Sequence, residues 1–272
     1  MDARACALRW KLFEVLKATR RGHIGAALSL LEIVRVLYDD ILRVDPQQPR
    51  WDFRDRFILS KGHGCLALYL LLADKGFFPD EQLFRFCKEG GILGGHPERD
   101  KVPGVEASTG SLGHGLPIGI GFALNARFER RDSRVFVLLG DGECNEGSVW
   151  EAALHASKHK LDQLTILIDY NKMQSAGRTS EILELEPFVD KFRAFGFATA
   201  EVDGHDVEAL RSTLQRLPLQ SGRPSAIICH TLKGRGMGRL EEDLSWHHKS
   251  SLSDADIQTL KTALEAGCGK PA

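Results

Sequence analysis

An α/β fold, with a doubly wound, mostly parallel sheet and helices on both faces, is what this sequence predicts. Three observations predict it. Apolar runs of strand length recur at residues 135–139, 164–168 and 226–230. A helix-period stretch at 148–160 separates the first two, and strands alternating with helices build parallel sheets. Finally, the two central runs both end in residues able to ligate a hard cation, Asp141 and Asn171. In a parallel sheet those two ends fall on one edge, where ligands of open α/β sheets bind.

The elements follow in order. Residues 3–21 read as a helix with Leu8, Leu12, Val15 and Leu16 on one face, stopping at Gly22. A second helix begins at Ser29, where Ser29 and Glu32 form a capping-box pattern. Its apolar face is Leu30, Ile33, Val34, Leu37 and Ile41, and Asp45-Pro46 and Gln48-Pro49 end it in a loop. Residues 56–60 read as a short buried strand delivering Lys61-Gly62-His63-Gly64, and 65–75 as an apolar helix closed by Gly76. Ten glycines lie from Gly90 to Gly121, with Pro97, Pro103 and Pro117 among them. A structured loop of that length inside a domain is usually functional. Residues 116–130 read as a helix leading into the central strand–helix–strand unit. A helix at 187–195, a strand at 198–202, a helix at 207–217 and the strand at 226–230 follow. A loop at 233–251 precedes a helix at 254–266 capped by Ser253. No internal repeat or interdomain linker interrupts the chain, so a single domain, 1–272, is expected.

Composition narrows the class. A chain of 272 residues can bury roughly three quarters of its unfolded surface, enough for a large core. A net charge of −1, from 36 basic and 37 acidic residues, argues against nucleic-acid binding. The six cysteines form no C-x-x-C pair, which suggests neither a zinc site nor a disulfide framework, and reduced thiols are expected. The longest apolar run, 65–73, is too short to span a bilayer, and charges among the first ten residues argue against a signal peptide. These features fit a cytoplasmic enzyme with no membrane partner.

Asp141 and Asn171 offer a carboxylate and an amide oxygen, too few for a protein-only cage even with a backbone carbonyl. They suit Mg²⁺, which fills its shell with phosphate oxygens and water. Gly140 and Gly142 allow a diphosphate close to the backbone. Gly-Asp-Gly alone is more often a turn, and Asn171 at the end of the next strand tips the balance. His23, His63, His96 and His114 lie in glycine-flanked loops, and His247 and His248 in the last loop. A lone loop histidine is usually solvated, but several at strand ends suit sugar hydroxyls, because imidazole both donates and accepts near neutral pH. His155 and His159 share helical spacing, yet Ala156 stands where a zincin needs Glu. Gly113-x-Gly115 and Gly234-x-Gly236 lack the strand or helix a dinucleotide fingerprint requires. Glu146 is placed to favour the start of the following helix through its negative charge.

Gly140-Asp141-Gly142 with Asn171 is similar to the thiamine diphosphate signature. From about Arg20 to Asp256 the chain resembles the N-terminal, diphosphate-binding part of transketolases. The matching islands are Gly22-His23-Ile24-Gly25, Lys61-Gly62-His63-Gly64, Gly95-His96-Pro97-Glu98, residues 109–115, Gly204-His205-Asp206 and Ser245-Trp246-His247. The resemblance implies the thiamine diphosphate-binding fold and the transfer of a two-carbon ketol unit from a ketose phosphate to an aldose phosphate. It implies thiamine diphosphate with Mg²⁺ (or Ca²⁺ or Mn²⁺), the metal held by Asp141, Asn171 and Met173. Cofactor contacts carried over are His63, Gly110, Ser111, Leu112, Asp141, Gly142, Glu146, Asn171 and His247. The catalytic set carried over is His23, His63, His96, His247 and Glu146, with Glu146 near a subunit interface and His248 offering an alternative register for His247. The family's activating glutamate, aminopyrimidine pocket and C-terminal domain would lie beyond Ala272. The expectation is therefore the N-terminal subunit of a split transketolase, a heterotetramer with a partner carrying the pyrimidine-binding and C-terminal domains. Ile24 stands where the family often has Pro, and Tyr170 where Asp or Asn is usual, which leaves the substrate open. A 1-deoxyxylulose 5-phosphate synthase-like enzyme is one alternative; residues 61–64 and 95–98 look like transketolase instead. A non-catalytic, cofactor-binding regulatory subunit is another, and the loop histidines count against it.

Overall fold

Parallel pairing joins all five strands found among the described residues into one sheet, in the order β1-β2-β3-β5-β4. They are β1 (Arg56–Leu59), β2 (Val135–Gly140), β3 (Leu164–Tyr170), β4 (Ala198–Asp203) and β5 (Ser225–His230). The structure, a computed structural model, describes residues 1–246, 249 and 251–269, without the side chain of Arg239. The register pairs Gly140 with Asp169 and Tyr170 with His230, so consecutive strands end level with one another.

Both faces are covered, as expected. Val135, Val137 and Leu139 belong to one apolar cluster with residues of α5 (Gly115–Phe128), α6 (Gly147–Lys158) and α8 (Phe188–Ala194). Phe136 and Leu138 belong to the opposite cluster, with residues of α1 (Ala3–Thr19), α3 (Leu31–Val36), α4 (Cys65–Asp74), α9 (Val207–Gln215) and α10 (Asp254–Cys268). Successive strand side chains point to opposite faces. With both faces dry, β2 and β3 are buried throughout and read as unbroken apolar runs.

Local differences from the sequence reading have physical causes. Arg20 adopts a left-handed conformation (φ 61°) and ends α1 before Arg21. The second helix does not start at Ser29. A short α2 (Ile24–Ser29) precedes it, and α3 runs on into a widened turn at Leu37–Ile41. Ser29 forms no capping box because its hydroxyl donates to Asp169 at 2.6 Å, while the Glu32 carboxylate accepts from Arg9 and pairs with His205 at 3.0 Å. A short α7 (Thr179–Ile182) lies where no helix was expected. At α10 the expected cap is present, Ser253 Oγ accepting from the Asp256 amide at 3.1 Å. The expectation of six free thiols is corrected: Cys6 and Cys268 form a disulfide with Cα atoms 5.3 Å apart. Packing of α10 on α1 brings together positions 262 residues apart in sequence, which motif spacing cannot reveal. No described helix is long and apolar enough to cross a membrane.

Candidate active site

At the C-terminal edge of the sheet, Lys61 follows β1, Asp141 follows β2, Asn171 follows β3, and Thr231 and Lys233 follow β5. All five side chains are buried. Asp169, inside β3, joins them. Its carboxylate accepts from Lys61 Nζ, Thr231 Oγ1, Ser29 Oγ (2.6 Å) and Asn171 Nδ2 (3.2 Å). Burial alone would raise this carboxyl, but Lys61 and the two hydroxyls hold it below the ordinary range. The same bond orients the Asn171 amide, whose Oδ1 accepts from the Met173 amide at 3.1 Å.

Among the described residues Asp141 receives only backbone donors, the amides of Gly142 (2.7 Å) and Lys172. Burial, and then the neighbouring Asp169 charge, push its carboxyl up to about 6. Lys233 donates to the Met173 carbonyl at 3.0 Å, and burial, then Lys61, bring its ammonium down to about 8. A carboxylate destabilised as an anion, beside an amide oxygen and a carbonyl, is a donor set that a divalent cation would satisfy. Two buried polar atoms at the same edge also lack hydrogen-bond partners among the described residues, Thr109 Oγ1 and Gln174 Nε2. Gln174 lies against Gly142, where an added Cβ would sit 3.0 Å from its own Cβ. Thr109 lies against Gly62, where an added Cβ would sit 2.7 Å from its hydroxyl. The residues present fit a metal–diphosphate group. Among the described residues no set of three or more His, Cys, Asp or Glu could hold a metal by itself.

Three of the expected histidines converge. His23 precedes α2, His63 sits in the single turn Gly62–Gly64 after β1, and His96 lies in the glycine-rich loop. The His23 ring centroid is 5.6 Å from that of His63 and 6.1 Å from that of His96. Gly110, at φ 140°, lies so close to His96 that a Cβ would come 3.0 Å from its ring. Beneath this loop, buried Glu143 accepts from the amides of Gly113 (2.8 Å) and Gly140 (3.0 Å) and from Ser60 Oγ. Ser60 Oγ accepts in turn from the Gly115 amide at 3.1 Å. Gly113 is buried, Leu112 half-buried, and Ser111 exposed. Glu146 stands exposed at the start of α6, and its carboxylate makes no cap hydrogen bond. His114 is exposed at the start of α5, and His155 and His159 are exposed on and just after α6. His247 and His248 lie outside the described residues.

The sequence matches the family described as transketolase, thiamine diphosphate binding domain, over residues 2–270. The chain belongs to the transketolase family. It is 42% identical over 240 residues to one subunit of the apulose-4-phosphate transketolase of Phocaeicola vulgatus, covering 88% of this chain and 85% of that protein. Against a 6-deoxy-6-sulfo-D-fructose transketolase subunit of a Clostridium species it is 41% identical over 227 residues, 84% of this chain and 82% of that one. The transketolase of Pichia stipitis in complex with sedoheptulose 7-phosphate superposes with a TM-score of 0.88 at 31% identity. That match covers 96% of this chain but 40% of the yeast one, so the chain spans about two fifths of that transketolase.

Within this transketolase domain, the sequence reading missed Asp169, Glu143, Thr231 and the separate parts taken by Lys61 and Lys233. A signal existed for two of them. Asp169 is a lone charge inside an otherwise apolar strand, and a buried charge is almost always paired. Glu143 is a buried acid one residue past Gly142. Thr231 and Lys233 carry no such mark, because their burial depends on loops packing over them.

Proposed function

We propose that this chain is the diphosphate-binding, N-terminal subunit of a thiamine diphosphate- and Mg²⁺-dependent transketolase. In that reading it transfers a two-carbon ketol unit from a ketose phosphate to an aldose phosphate. The observation that carries the reading is the meeting of Asp141 and Asn171 with the cluster of His23, His63 and His96 around one sheet edge.

Asp141, Asn171 and the Met173 carbonyl would hold the metal, with Ca²⁺ or Mn²⁺ able to replace Mg²⁺. Gly110, Ser111, Leu112, Gly142 and His63 would line the cofactor. When bound, thiamine diphosphate supplies the electron sink for C–C cleavage, while the protein supplies binding, orientation and electrostatics. His23, His63, His96 and His247 bind the ketose hydroxyls and hold or pass protons there. Lys61 and Asp169 keep the edge rigid, and Lys233 brings positive charge beside the diphosphate. Glu146, exposed at the start of α6, faces the partner and links paired sites. The cofactor's ring end would be held by a partner carrying the pyrimidine-binding and C-terminal domains, in an assembly of two copies of each subunit in the cytoplasm. The relatives named as transketolase subunits, at similar length, favour that arrangement.

Reconstitution tests the reading. The chain purified with its partner, thiamine diphosphate and Mg²⁺ should transfer a ketol unit between sugar phosphates, and the chain alone should not. In the reconstituted enzyme His23→Ala should lose turnover and keep most cofactor affinity, with His155→Ala unchanged as the control. Full activity from the single chain would refute the two-subunit reading.

A further inference from the structure

The opposite end of the sheet carries a cavity. It lies where β1 and β2 begin, enclosed by residues 49–56, 99–106 and 131–135 and by α5, with a volume of about 450 Å³. That is within the usual range for small-molecule sites, roughly 300–1,000 Å³. A strand length separates it from Asp141, since Val135 lines the cavity and Asp141 follows Gly140 at the other end of β2.

Its lining is strongly cationic. Arg50, Arg54, Arg56, Arg99, Lys101 and Arg131 face it, against three acids, Asp52, Asp100 and Glu106. Glu106 is already committed, with Arg54 at 2.9 Å and Arg56 at 3.4 Å. Arg131 reaches Asp52 only at 3.7 Å, and Arg99 reaches Asp100 only at 3.8 Å, beyond the length of good hydrogen bonds. Those two guanidinium groups keep donors to offer. A second, independent observation points the same way. Ser133 lines the cavity, is 2% exposed, and its buried Oγ has no hydrogen-bond partner among the described residues. Buried hydroxyls are nearly always satisfied, so this one calls for a partner.

We propose that this cavity is a binding site for a small phosphorylated molecule. Its phosphate would take charge-assisted hydrogen bonds from Arg99 and Arg131 and one from Ser133. Guanidinium forks match phosphate oxygens, and a hydroxyl can donate to one of them. Asn125 and Phe122, also on the wall, offer an amide and a ring edge to the organic part. The site is separate from the metal edge and does not depend on the function proposed above.

Titration calorimetry with inorganic phosphate, on the full chain preloaded with thiamine diphosphate and Mg²⁺, tests it. One saturable site is expected. Arg99→Gln/Arg131→Gln should weaken it at least about tenfold, the change expected from losing charge-assisted hydrogen bonds. Ser133→Ala should also weaken it while leaving the melting temperature equal or higher, because it removes an unsatisfied buried hydroxyl instead of a contact. His155→Ala, exposed on α6 and outside the cavity, should leave phosphate binding unchanged. Absence of saturable binding at millimolar phosphate overturns the proposal, as does an isotherm that Arg99→Gln/Arg131→Gln leaves unaltered.

Discussion

Asp141, just past β2, and Asp169, in the neighbouring β3, are both buried, yet their carboxyls move in opposite directions. Asp169 has an ammonium and two hydroxyls, whereas Asp141 has two backbone amides and a like charge nearby. The consequence is a pH dependence with a definite sign. A cation at Asp141 must displace a proton whenever the pH lies below about 6. Binding of Mg²⁺ with thiamine diphosphate should be level above pH 7 and weaken by up to about tenfold per unit below 6. Calorimetry at several pH values, corrected for metal binding to the free cofactor, checks this, and constant affinity from pH 5 to 7 would count against it. For the metal-free chain the same shift withdraws stability as pH rises from the ordinary 3.8 to about 6, because the folded state holds its proton longer than the unfolded one. At Lys61 the prediction concerns stability. Lys61→Met leaves Asp169 buried without its cation and should cost about 3–5 kcal/mol, measured by urea unfolding. Asp141 and Asn171 were legible in the sequence because strand ends flank them at a recognisable spacing. Lys61 and Asp169 were not legible as a pair, since 108 residues separate them and only the β1–β2–β3 order brings them together.

Between elements, close backbone approach does the positioning. Gly62 meets the glycine-rich loop so tightly that a Cβ would come 2.9 Å from the Gly110 amide as well as 2.7 Å from Thr109 Oγ1. Gly62→Ala should therefore force the loop off β1, costing about 1–3 kcal/mol as overpacking does. Cofactor affinity should fall with it, because Gly110 is among the residues proposed to line the cofactor. Thermal melts and cofactor titration on the same variant check both effects, and a variant with unchanged affinity would show that the loop does not depend on this contact. The strands were legible because apolar runs of strand length need no partner to be seen. The start of the second helix was not, because Ser29 and Glu32 form a good local cap pattern that tertiary demands override: Asp169 takes the one, and Arg9 and His205 take the other.

At the scale of the whole molecule, the sheet brings one edge's acids, lysines and histidines together, and Cys6–Cys268 ties α1 to α10. The parallel class was legible from alternating strands and helices. The strand order was not, because burial on both faces makes β2, β3 and β5 look alike in sequence. The disulfide was hidden for a similar reason: its two cysteines lie near opposite ends of the chain, with no motif between them. Everything proposed at the metal edge rests on Asp141 anchoring a metal–diphosphate within a two-subunit enzyme. The binding isotherm of thiamine diphosphate with Mg²⁺ to the assembled enzyme, wild type against Asp141→Ala, probes that anchor without an intervening step. The expected result is a loss of affinity larger than the roughly 10–100-fold typical of a residue that only supports a metal ligand. Equal affinity in the two proteins would contradict it.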